Sequence, residues 1–236
     1  MLDHLFLDTI GALRAALDES LLQRAGQEDR LTSDLLLGDL AWETSMTLPG
    51  EEDPPRVCAD ISLDWPTWSQ SAWRSLSMGE LVEDPPEIGV EVVFRVQRLA
   101  SKPDLRRVLS DLPEASPDVG GEGLSRSAPV VEEAYKDDNS RPEIAVEVAY
   151  EGSFRLPSST ELETEEAGDQ GGERQAWSVA PLVADDPAGS LAAATRQTRA
   201  VIEATLSAVG AWVASTLVRL ADLQLDYLPP EQAEDS

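Results

Sequence analysis

The chain has 236 residues, enough for one domain with a sizeable core, and 45 acidic against 18 basic residues give it a formal charge of -27. That balance argues against unaided binding to nucleic acid or an anionic membrane, whose phosphates it would repel. A single cysteine, Cys58, and a single histidine, His4, exclude an internal disulfide, Ser/His/Asp and Cys/His catalysis, and histidine-based metal sites.

Leu2 to Arg24 predicts an amphipathic helix, because Leu2, Phe6, Ile10, Leu13, Leu17 and Leu21 recur at three-and-four spacing while Asp3, Arg14, Asp18 and Glu19 lie elsewhere. Its apolar face needs a partner, either the chain's own sheet or a second subunit. The stretch has neither a basic n-region nor a small-residue cleavage site, so a signal peptide is not expected and a cytoplasmic location is. Ala25 to Ser33 reads as a polar turn.

Leu36 to Leu48 alternates, with Leu36, Leu40, Trp42, Met46 and Leu48 opposed to Asp39, Glu43, Ser45 and Thr47, and predicts a first strand. Arg56 to Trp65 predicts a second, with Val57, Ala59, Ile61, Leu63 and Trp65 inward and Cys58 on the polar side as an unreactive thiol. Seven residues separate the two, which favours an antiparallel hairpin over a parallel crossover. Pro66 to Pro85 reads as irregular and carries Trp68 and Trp73, which either cap the core or form a binding surface.

Pro86 to Leu99 predicts a third strand, with Ile88, Val90, Val92, Phe94 and Val96 opposed to Glu91, Arg95 and Gln97. A short helix is expected over Ser101 to Leu112, then an acidic flexible insertion at about 114–141. Pro142 to Leu156 has the most regular alternation in the chain and is a near-copy of the third strand, by duplication or by convergence of two half-buried strands. A second acidic insertion follows at about 157–175, and Trp177 to Val183 reads as a short extended piece.

Asp186-Pro187 opens a helix expected to run to about Leu220. It carries a large apolar stripe, Ile202, Leu206, Val209, Val213, Leu217 and Leu220, and a second stripe of small residues, Ala200, Ala204, Ala208, Ala211 and Ser215. Two such faces imply cover on two sides, the second from another subunit. The uncharged run Ala204 to Val218 is fifteen residues, short of the roughly twenty that span a membrane, so no membrane span is expected. Residues 229–236 read as a solvated tail. The chain thus divides into an N-terminal helix over 1–24, an α+β domain over 34–228 and the tail.

No glycine-rich phosphate loop is present, since Gly120-Gly121 and Gly171-Gly172 sit in acidic linkers. Asp137-Asp138-Asn139 and Glu163 to Asp169 lack calcium-loop spacing, and nothing selects two catalytic carboxylates from 45. No catalytic residue, cofactor or metal is expected, and the chain reads as a non-enzyme.

Taken in order, four antiparallel strands, a long helix and a terminal Leu-x-Leu segment resemble the SecB export chaperone and its relatives. The residues that carry the likeness are Val146 to Leu156, Thr198-Arg199 with Ile202, and Leu220 to Pro230, LADLQLDYLPP. The N-terminal helix, the Trp-bearing loop and the acidic insertions depart from that pattern. The resemblance implies an α+β fold with a four-stranded antiparallel sheet, a dimer or tetramer, and a holdase that binds other polypeptides in hydrophobic grooves. On that basis Trp42, Trp68 and Trp73 are candidates for groove lining, Glu91, Glu147 and Glu151 for an acidic partner face, and Ala200, Ala204, Ala208, Ala211 and Ser215 for the oligomer interface. The alternative is an adaptor subunit of a larger assembly that docks through its N-terminal helix.

Overall fold

A computed structural model describes residues 2–25, 29–33, 38–51, 53–78, 80, 82–110, 112–119, 123–135, 142–156 and 187–229. It is an α+β fold in which a helix at each end of the chain packs on one face of a large antiparallel sheet. The elements are α1 (Leu2–Glu19), β1 (Gln23–Arg24), β2 (Arg30–Ser33), β3 (Leu40–Thr47), β4 (Val57–Trp65), α2 (Thr67–Ser77), β5 (Glu87–Leu99), α3 (Leu105–Ser110), β6 (Ala115–Asp118), β7 (Gly123–Arg126), β8 (Val130–Ala134), β9 (Glu143–Arg155) and α4 (Pro187–Ala221).

The four long strands expected from alternation, β3, β4, β5 and β9, form the middle of the sheet in chain order. The sheet nevertheless has nine strands, not four, in the order β1-β3-β4-β5-β9-β7-β6 with β2 also on β3 and β8 also on β9. The added strands are two to five residues long, too short for a period of two to register. β6, β7 and β8 lie in the stretch expected to be a flexible insertion, β2 in the expected turn and α2 in the expected irregular segment. The acidic insertion at 157–175 and the extended piece Trp177 to Val183 lie outside the described residues.

The inner face is dry because alternate side chains of every long strand meet the two helices. Phe6 of α1 stacks on Trp65 of β4 at 5.9 Å, and Phe94, Tyr150 and Trp212 of β5, β9 and α4 meet edge to face at 5.0 to 5.7 Å. All six members of the large stripe of α4 are buried.

The helices run side by side in the same direction. Arg199 stands 3.9 Å from Asp8, and further along Gly210 lies against Ala16, where a Cβ on Gly210 would come within 2.6 Å of the Ala16 carbonyl oxygen. α1 therefore covers α4 on the side of Gly210. The small stripe is not under α1: Ala200, Ala204, Ala208, Ala211 and Ser215 are all exposed.

α1 stops at Glu19, sooner than its periodicity suggested. Leu21 has a φ of 60° in a left-handed C-terminal turn and is 75 % exposed, so Leu22 takes the buried place expected of Leu21. Within α4, Arg199–Ala221 has the length and composition to cross a membrane, with 23 residues and a mean hydropathy of 1.6, and 44 % of that window is buried inside the protein.

Candidate functional site

Among the described residues no helix lies on the opposite face of the sheet. Its residues follow from strand parity and register: Glu43, Ser62, Glu91 and Glu151 form one row across β3, β4, β5 and β9, and Thr47, Cys58, Arg95 and Glu147 form another. Glu91 and Glu151 face each other directly, an arrangement in which like charges repel. Among the described residues their polar partners are Ser62, which donates to Glu91, and Ser127, which donates to Glu151, each at a weak 3.4 Å. Glu147 is held instead by Arg95, whose Nε donates to Oε1 at 2.6 Å while Nη2 reaches Asp60 at 3.2 Å. Burial opposes the charge of Arg95, but Asp60 and Glu147 outweigh it and hold the guanidinium more firmly protonated than usual.

Cys58 lies beneath this network. Burial, and after it the charge of Asp60, pushes its thiol up to about 12, far from a nucleophile at neutral pH. The face is concave here. A depression of about 670 Å³ is lined by Arg30, Glu43, Asp53, Cys58, Asp60, Glu91 and Arg95 among others, so four of its carboxylates face two guanidinium groups.

A second depression, of about 420 Å³, lies at the start of α2 and is lined by Asp39, Leu40, Asp64, Trp65, Pro66, Trp68, Glu87 and Gly89. α2 is fixed to the sheet by Ser69, whose buried hydroxyl accepts from Trp65 Nε1 at 3.1 Å and from Glu87 N at 2.8 Å and donates to the Glu87 carbonyl at 2.5 Å. Asp39 caps the helix from the preceding loop, accepting from Thr67 N at 2.6 Å and Thr67 Oγ1 at 2.9 Å. These bonds place the indole of Trp68, 48 % exposed, beside Asp64.

The expected site residues are thus divided. Glu91 and Glu151 come together, Glu147 shares their face but is paired, and Trp68 lines a depression. Trp42 does not line a groove: it is 1 % exposed in the core with Arg14 stacked 5.5 Å from its ring centre, because the inward parity of β3 buries it. Trp73 is half-buried against the core. Asp60, Asp64 and Arg95 carried a signal in their polar-side parity. Asp39 carried the same parity signal and Gly89 carried none, and only the docking of α2 brings the two together. Among the described residues no three His, Cys, Asp or Glu side chains are grouped to hold a metal ion. Compared with protein-family models, curated proteins and solved structures, the chain matches none of them.

Proposed function

We propose that this protein binds other polypeptides without performing chemistry, as a SecB-like holdase that keeps non-native chains soluble. The observation that carries the reading is the outer face of the sheet, on which no helix lies among the described residues, concave and rich in carboxylates, with an exposed indole at its rim. A face left open on a sheet whose other side is fully packed is available to a partner. Its excess of acid favours partners with basic residues and, with the overall charge, opposes self-association through that face.

The test is suppression of light scattering by an unfolding client enzyme, with the acidic face altered by Glu91→Lys and Glu151→Lys together. Suppression at stoichiometric ratio that weakens in the double variant supports the reading. No suppression at any ratio up to a severalfold excess overturns it.

A second reading, an adaptor subunit of a larger assembly, is favoured by one observation, the exposure of the whole small-residue side of α4. Docking through α1 is less suited to it, because Phe6, Ile10, Leu13 and Leu17 are already buried in the chain's own core. Ala208→Glu tests it: loss of a co-purifying complex from a chain that shows no holdase activity favours the adaptor.

A further inference from the structure

We propose that the depression between the first turn of α2 and the outer side of β4 and β5 is a pocket for one cationic side chain, arginine or lysine, of a bound polypeptide. The proposal rests on the polypeptide-binding reading and names what part of a partner this pocket selects.

Four observations converge on it. Trp68 presents a large exposed indole face, the best of the aromatic surfaces for a guanidinium or ammonium group. Asp64, on the adjoining wall, has no hydrogen-bond or ion-pair partner among the described residues. Its neighbours Asp39 and Glu87 are partly satisfied within the fold, Asp39 by Thr67 and Glu87 by the Ser153 hydroxyl at 2.7 Å, with Arg155 across from Glu87 in register. Burial, then the charges of Glu43 and Asp39, hold the Asp64 carboxyl above its ordinary range, the condition that an incoming cation relieves.

The fourth observation is Gly89. It lies in the stretch of β5 from Glu87 to Val96, where the register is regular, opposite Asp64 on one side and Ser153 on the other, with no bulge there and no left-handed φ to require glycine. A Cβ there would meet only Asp64, at an ordinary 3.6 Å, so no backbone crowding explains it either. An interior strand glycine without bulge or bend is characteristic of a site where a ligand or another backbone approaches closely. Its missing side chain is what leaves space in this pocket beside Asp64.

The cation comes from a polypeptide, because the pocket opens onto the same carboxylate-rich face that an extended chain would follow. The probe is a fluorescein-labelled, unfolded peptide of leucine, serine and alanine with one central arginine, compared by anisotropy with the same peptide carrying citrulline, the uncharged near-isostere.

The full chain is expected to bind the arginine peptide about threefold to tenfold more tightly than the citrulline peptide. Asp64→Asn and Gly89→Val, each checked for an unchanged circular dichroism spectrum, are expected to reduce that preference to about onefold while leaving citrulline-peptide binding within about twofold, and Trp68→Ala is expected to reduce the preference while weakening both peptides. Gly89→Val is the sharpest, since it removes no interacting group and only fills the space. Equal binding of the two peptides by the unmodified chain, or a preference that survives in folded Gly89→Val, overturns the pocket and leaves the polypeptide-binding reading standing. Binding of neither peptide overturns both.

Discussion

Two carboxylates illustrate opposite couplings of charge to stability. Glu51 is pulled toward its protonated form by burial, but hydrogen bonds and charge from Arg56 outweigh that and hold it below its ordinary 4.5. Such a group stabilises the fold above the unfolded pKa, and the contribution is lost as pH falls through the folded one. Glu51→Gln is therefore expected to lower the melting temperature at pH 7, with the gap closing as pH drops below about 4.5. Asp64 behaves the other way: raised above 3.8, it favours folding fully only while protonated, and that advantage is lost as pH rises through its folded pKa. Asp64→Asn is expected to raise the melting temperature at pH 7 and to change nothing at about pH 3, a stability cost that fits a group kept for binding. Ser69 makes three buried hydrogen bonds between α2 and the sheet, so Ser69→Ala should cost about 2 kcal/mol, read as a lower urea midpoint at unchanged slope.

The same dependence on contact governs the elements. Sequence periodicity identified α1, α4 and the four long strands, because each presents enough turns or alternations for one face to be distinguished from the other. It was silent on which helix covers which, and there a single glycine decides. Gly210 lets the backbones of α1 and α4 touch at Ala16, and any larger residue would press on a carbonyl that cannot move aside without shifting the helix. Gly210→Val is expected to destabilise the protein by about 3 kcal/mol, measured by urea unfolding. α2 escaped notice because its 11 residues contain serines and two tryptophans with only a partial apolar face; its position comes from its own Ser69 bonded to Glu87 and from Asp39, partners remote from it in sequence. Trp42 and Trp68, equivalent candidates in composition, part company here: strand parity sends one inward, and the helix start leaves the other in water.

At the scale of the whole molecule, the N- and C-terminal helices occupy one side of the sheet, and among the described residues no helix covers the other. The exposed alanine side of α4 is the remaining apolar surface of the rod, and the oligomer that the SecB resemblance implies would use it. Multi-angle light scattering checks this: a dimer or tetramer that becomes monomeric in Ala208→Glu is the expected outcome, and a monomeric unmodified chain removes the oligomer from the proposal.

Periodicity and charge by themselves determined that this chain builds a half-buried antiparallel sheet with an amphipathic helix at each end, since one apolar face per element is a property of local spacing. They determined as well that Glu91, Glu147 and Glu151 lie on the polar side of their strands. Only tertiary structure decided that short strands widen the sheet to nine, that Arg95 takes Glu147 away from the acidic face, and that Asp39, Asp64, Trp68 and Gly89 meet at one pocket. The reason is physical: the face of a residue is set by its neighbours two to four positions away, whereas pairing of short edges and closure of a pocket depend on contacts between residues tens of positions apart, which no local period records.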